Sequence, residues 1–173
     1  MANNRHPLKP ALMLLCLALA SPLVAALPED RNQAIEIQAR EALRNDPKGL
    51  TVYEGDVTIR QGSILIRADK VSIYNTGKKV SRIVCIGTPA QFQQQPKADS
   101  PLVIAKGNTI EYNLETDIIV LQKNASLVQD ESTLSGERID YDLKQEIIRA
   151  KGGDDSNDRV RMVIPPSQQQ EAF

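Results

Sequence analysis

The chain has 173 residues, with 21 Lys and Arg set against 22 Asp and Glu, one His, two Cys, no Trp, two Phe and four Tyr. Near-neutral charge gives no basic surface for nucleic-acid phosphates, and so few aromatics can neither stack bases nor form the two girdles of a membrane β-barrel. A chain of this size fits one domain.

Residues 1–26 read as a secretory signal. Arg5 and Lys9 give a basic start, Ala11 to Ala20 is an unbroken apolar run, and Val24-Ala25-Ala26 supplies small residues for cleavage after Ala26. The run is about half of the roughly 20 apolar residues that a membrane-spanning helix needs. Cleavage leaves 173 − 26 = 147 residues and removes two cations, so 19 positive against 22 negative charges give a net charge of −3. His6 and Cys16 go with the signal. The remainder has no His and only Cys85, which excludes a Ser-His-Asp triad, a Cys-His pair, a His-based zinc site and an intramolecular disulfide. Cys85 sits in the apolar run Ile83-Val84-Cys85-Ile86, the setting of a buried, inert thiol.

Beyond a lead-in at 27–34, Ile35 to Ala39 reads as a first strand. Ala39 to Arg44 has helical propensity, but its place in the repeat described below favours strand or turn. Asn45-Asp46-Pro47-Lys48-Gly49 is a turn, and Leu50 to Gln61 a strand with Val57 and Ile59 on one face. Gln61-Gly62 turns the chain into Ile64, Ile66 and Ala68; after a register change at Asp69-Lys70, Val71 and Ile73 resume the alternation. Asn75 to Lys79 turns again, into Val80 to Ile86 and on to Phe92. The polar stretch Gln93 to Pro101 is a loop extension. Val103 to Val128 continues the ladder, and Ile118-Ile119-Val120-Leu121, apolar on both phases, implies cover on both faces. Ser132 to Ile148 follows, then a polar loop at Gly152 to Asp158, and Arg159 to Ile164 as a last strand with Val160, Met162 and Ile164 on one face. A single domain over 27–164 precedes a tail, 165–173, expected to be disordered.

One unit recurs along this chain. The pattern Ile64-x-Ile66-x-Ala68-x-x-Val71-x-Ile73 is answered by Ile35-x-Ile37-x-Ala39-x-x-Ala42, by Val103-x-Ala105-x-Gly107-x-x-Ile110-x-Tyr112 and by Ser132-x-Leu134-x-Gly136-x-x-Ile139-x-Tyr141. The copies lie 29, 39 and 29 residues apart. A position that is always Ala or Gly, followed by a step of three, implies a bend where only a small side chain fits. Repeats of this size are stacked β units that share one interior, since a single unit cannot bury its apolar face.

Catalysis would have to rest on carboxylates, as in a glycosidase. Glu29-Asp30, Asp130-Glu131 and Asp154-Asp155 are adjacent pairs, but nearly all the acids fall in turns or on the polar phase of a strand, the ordinary place for solvated charge. The group Asp154, Asp155, Asn157 and Asp158 lacks the spacing of a calcium loop and reads as a polar loop. No metal ligands and no catalytic residues are assigned.

Several stretches match a known family in one order: Gln61-Gly62-Ser63-Ile64 through Ala68-Asp69-Lys70-Val71; Gly87-Thr88-Pro89-Ala90-Gln91-Phe92; Tyr112-Asn113-Leu114 with Ile119-Val120-Leu121; Gly136-Glu137-Arg138-Ile139-Asp140-Tyr141; and Arg159-Val160 to Ile164-Pro165-Pro166-Ser167-Gln168. They resemble the OstA-like family of periplasmic lipopolysaccharide-transport proteins. The lead-in and the loop Gln93 to Ser100 depart from it. The resemblance implies an all-β fold, a twisted open β-jellyroll of stacked antiparallel strand repeats, with an apolar interior that shields lipopolysaccharide acyl chains. It implies protomers joined head to tail into a periplasmic bridge for outer-membrane biogenesis, with no catalysis and no cofactor. The implied partners are lipopolysaccharide, further copies of the chain, an inner-membrane export complex with an LptC-like jellyroll, and an outer-membrane translocon with an LptD-like periplasmic jellyroll.

On that basis the expected lining is Ile35, Ile37, Val57, Ile59, Ile64, Ile66, Ala68, Val71, Ile73, Phe92, Ile110, Tyr112, Leu114, Leu121, Leu127, Leu134, Ile139 and Tyr141, with Val160, Met162 and Ile164 as a docking edge. A dry core shows the same alternation as a lining. Two other readings stand beside this one: a structural adaptor that assembles by its strand edges without a lipid site, and a carbohydrate-active enzyme with a carboxylate pair.

Overall fold

The computed structural model describes residues 30–95, 100–145, 147–155 and 158–166. The expected signal with His6 and Cys16, the loop residues 96–99 and the tail from 167 lie outside the described residues. Ten strands are present among those described: β1 (Glu36–Gln38), β2 (Glu41–Asn45), β3 (Leu50–Gln61), β4 (Ile64–Thr76), β5 (Lys79–Gln94), β6 (Val103–Asn113), β7 (Ile118–Gln129), β8 (Ser132–Asp142), β9 (Ile147–Lys151) and β10 (Arg161–Val163).

All strands join one antiparallel sheet in chain order from β3 to β8. At one edge β1 and β2 pair successive lengths of β3, and at the other β9 and β10 pair successive lengths of β8. Each edge is therefore one interrupted rung beside six long strands. Ala39 to Arg44, helical by propensity, contributes to β2 because its backbone is satisfied by pairing with β3.

A single sheet has no second layer to pack on, yet Val71 and Ile139 are 0 % exposed and Val57 and Leu121 1 %. The sheet achieves this by folding over itself. Register shifts occur between Glu54 and Val57, Arg67 and Lys70, Ile86 and Ala90, Lys106 and Thr109, and Gln122 and Ala125, so that every long hairpin bends at the same level. Gly55 and Asp56 in β3, and Lys123 and Asn124 in β7, take left-handed backbone at these bulges. The small residues of the repeat lie on this line. A Cβ on Gly107 would stand 3.1 Å from the Thr109 carbonyl oxygen, and one on Gly136 would stand 2.8 Å from that of Lys151. The two halves of the sheet then close one apolar cluster between them.

The lead-in is tied to the β3–β4 turn. The Ser63 N–H donates to Asp30 Oδ1 at 2.8 Å, the Ser63 hydroxyl to Oδ2 at 2.7 Å, and the Gln94 amide to Oδ2 at 3.1 Å. Partial burial works against the Asp30 charge, but these donors outweigh it and hold the carboxyl below its ordinary value.

The structure departs from the sequence expectations at several points. β1 begins at Glu36, leaving Ile35 outside it and 59 % exposed. Leu114 lies past the end of β6, in the turn to β7, with its N–H bonded to the Ser81 carbonyl at 2.9 Å. Ile118 and Val120 are only half-buried, because a sheet folded on itself leaves its outer face to water. β5 runs on to Gln94, two residues into the expected loop. The last strand covers only Arg161–Val163.

Ile139→Ala should cost about 3 kcal/mol, since it empties a fully enclosed site, whereas Met162→Ala should stay within about 0.5 kcal/mol; urea titration of both checks this. Asp30 gives a pH signature. Its folded pKa is depressed, so its stabilising contribution is complete above the ordinary value of 3.8 and is lost as pH falls through the folded value. Asp30→Asn should lower stability by about 1 kcal/mol at pH 7, and the gap to wild type should narrow at pH 2. An equal gap at both pH values would show that ionisation of Asp30 does not matter.

Candidate functional site in the apolar rows

The register aligns inward side chains into rows that cross the strands. One row runs Ile37, Ile59, Ile66, Phe92, Ala105, Leu127, Leu134, Met162, from β1 at one edge to β10 at the other. Beyond the bend a second runs Ala42, Tyr53, Val71, Cys85, Ile110, Leu121, Ile139, Ala150, from β2 to β9. A third adds Ile73, Ile83, Tyr112, Ile119, Tyr141 and Ile148. At about 4.8 Å per strand, seven steps carry the first two rows roughly 34 Å. The row next to the first on the outer face is Thr58, Arg67, Gln91, Lys106, Ser126, Ser135 and Arg161. The period of two thus separates an apolar interior from a polar exterior across the whole stack.

Most of the expected lining meets in this interior. Val57, Ile59, Ile66, Ala68, Val71, Phe92, Ile110, Leu121, Leu127 and Ile139 are buried in one cluster, with Ile37, Ile64, Ile73, Tyr112 and Leu134 packed against it. Tyr141 is half-buried in the third row. Tyr112 keeps its ring among the apolar residues and donates its hydroxyl to Asp117 Oδ1 at 3.1 Å, at the mouth of the β6–β7 turn. Ile35 and Leu114 lie outside the cluster. Val160, Met162 and Ile164 are exposed, Met162 at 60 % although it pairs with Leu134 of β8, and Val160 and Ile164 flank β10.

The sequence reading missed Tyr53, Ile83, Ile119, Ala90 and Ala125 as interior residues. Ile83 could have been found by extending the phase of Cys85 back along β5. Ile119 was hidden by the doubly apolar run around it; Tyr53 lies four residues before Val57, in the same phase across the bulge at Gly55-Asp56, and could have been found by extending that phase back along β3.

Among the described residues the interior offers no reactive chemistry. Burial pushes the Cys85 thiol up to about 12, where it is not a nucleophile at neutral pH. The acids sit elsewhere. Asp154 and Asp155 are exposed at the rim of an outward depression of about 520 Å³, shared with Gln122, Lys123, Glu137, Arg138 and Lys151. No group of three His, Cys, Asp or Glu among the described residues could hold a metal ion.

Known proteins match over this same arrangement. The family described as LptA/(LptD N-terminal domain) LPS transport protein matches residues 36–147, β1 into β9. The lipopolysaccharide export system protein LptH of Pseudomonas aeruginosa is 35 % identical over 163 residues, covering 91 % of this chain and 93 % of that protein. LptA of Haemophilus influenzae, also named a lipopolysaccharide export system protein, is 36 % identical over 164 residues, covering 93 % and 94 %. The crystal structure of Pseudomonas aeruginosa LptH, described as the LptA-homologous periplasmic component of the lipopolysaccharide transport device, superposes with a TM-score of 0.72 at 34 % identity, covering 80 % of this chain and all of that one. The chain therefore belongs to the LptA/LptD N-terminal-domain family of lipopolysaccharide transport proteins, a family that transports and does not catalyse.

Proposed function

We propose that this chain carries the acyl chains of lipopolysaccharide between the two halves of its folded sheet, and that copies joined head to tail bridge the inner and outer membranes across the periplasm. In this reading residues 1–26 export the chain and are removed. An inner-membrane export complex with an LptC-like jellyroll feeds one end of the bridge, and an outer-membrane translocon with an LptD-like jellyroll receives at the other. The observation that carries the reading is the course of the apolar rows, which run across the strands from one sheet edge to the other, so that stacked copies make one apolar path.

The energetics favour such a path. Each acyl methylene kept from water is worth about 0.8 kcal/mol, so an unshielded multi-chain lipid does not cross an aqueous compartment at a useful rate. A path of Ile, Val and Leu side chains removes that penalty without directional bonds to break at each step, which suits release to the next copy. Val57, Val71, Leu121 and Ile139 are packed in the chain alone. Loading therefore parts the two halves of the sheet about the line of bulges, and lipid contacts replace contacts between rows.

A photoreactive residue at Phe92 or Tyr112 should crosslink to lipopolysaccharide in cells on irradiation. Absence of a lipid adduct at every inward position would overturn the conduit and leave an adaptor that assembles by its edges. Replacing Asp154 and Asp155 together by Asn should leave growth and folding unchanged; loss of viability with folding intact would point instead to carboxylate chemistry.

A further inference from the structure

We infer that two copies meet in one register, with Met162 of one copy opposite Ile37 of the next and Ala150 opposite Ala42. This rests on the head-to-tail reading and adds to it which residues face each other across the joint. Met162 and Ile37 end the same apolar row at opposite edges, as Ala150 and Ala42 end the second. A sheet that continues through the joint keeps both rows straight only when these ends are directly opposite: a slip of one residue turns every inward side chain outward, and a slip of two offsets each row along the strand.

The charges on the two edges fit this register. β9 and β10 carry Arg149, Lys151 and Arg161 and no acid, Lys151 having a long 3.9 Å contact with Asp154, while β1 and β2 carry Glu36 and Glu41 with one cation, Arg44, that is paired to Asp46 at 2.6 Å. Antiparallel pairing with Ala150 at Ala42 sets Lys151 directly across from Glu41. Pairing with Met162 at Ile37 sets Arg161 across from Gln38 and diagonal to Glu36, and brings the exposed Ile164 to the exposed Ile35. Two β9–β10 edges meeting each other would instead set cation against cation, so the edges reject like and accept unlike. The described residues of the loop after β9 do not obstruct the joint. They lie over their own copy's outer face at the bend, beside Gln122, Lys123, Glu137 and Arg138.

Ile35 and Leu114, set apart from the interior of one copy, part company here. Ile35, 59 % exposed in one copy, is covered by Ile164 of the next in this register.

The test mixes single substitutions in the otherwise intact chain, with unaltered protein as control for the buried Cys85. Met162→Cys with Ile37→Cys should give about tenfold more disulfide-linked dimer under mild oxidation than Met162→Cys with Gln38→Cys, whose side chain belongs to the other face. Lys151→Glu should weaken self-association about fivefold by light scattering, and adding Glu41→Lys to the same chain should restore it. Crosslinking that favours Gln38→Cys, or no rescue by the double exchange while self-association persists, overturns this register and leaves head-to-tail assembly standing. A chain that stays monomeric at every concentration and crosslinks nowhere overturns assembly itself.

Discussion

A lone antiparallel sheet with one apolar face must find cover for that face, and here the only cover available among the described residues is the sheet itself. The bulges answer this. The alternate long strands β3, β5 and β7 carry the extra residues at the same level, and the left-handed backbone at Gly55-Asp56 and Lys123-Asn124 turns the strand without breaking its pairing on either side. Small residues at the same level, Ala68, Gly107 and Gly136, let neighbouring backbone come close. With the fold-over in place, Val57 and Ile59 below the line and Val71 and Ile73 above it belong to one cluster or its margin, although they lie on a continuous sheet.

A sheet folded in this way is closed along its bend and open along its edges. Its first and last rungs are interrupted strands, and each leaves a row of backbone groups facing outward. Exposed apolar residues gather at both edges: Ile35 and Leu43 at one, Ile147, Ile148, Met162 and Val163 at the other. In a solitary protein such edges invite aggregation. In a transport family whose apolar rows end at those edges, they are the places where one chain can hand its interior to the next.

The same architecture accounts for the absence of enzyme-like features in the interior. Apolar rows that continue from strand to strand leave no position where an inward carboxylate could stay ionised without a partner. The acids stay on the outer face and in turns, where several pair with neighbours on the adjacent strand, as Glu54 does with Lys70 at 2.7 Å and Glu111 with Arg82 at 3.5 Å. Such exposed pairs contribute little stability. They do keep the outer face solvated, which a folded sheet with one dry side requires.

The sequence by itself determined the all-β character, the strands β3 and β4 with their turns, and the bend, but not the breaks between β6 and β7 or between β8 and β9. Alternation is a local property, and the recurrence of Ala or Gly at one place in each unit marks where neighbouring backbone must approach, so β3 was readable to the residue and most inward positions could be named. Only the tertiary structure decided which apolar residues share the interior. Ile35 and Ile37 have the same phase in the chain, but only Ile37 has β3 beside it, and Ile119 could be told from Ile118 only by its partner Tyr141. Tyr53 keeps the phase of Val57 across the bulge, whereas on β4 the phase changes between Ala68 and Val71, the step of three that the repeat displays. The physical reason is common to the isoleucine pairs: a side chain's facing is fixed by the strand it pairs with, and pairing joins residues that are distant in the sequence.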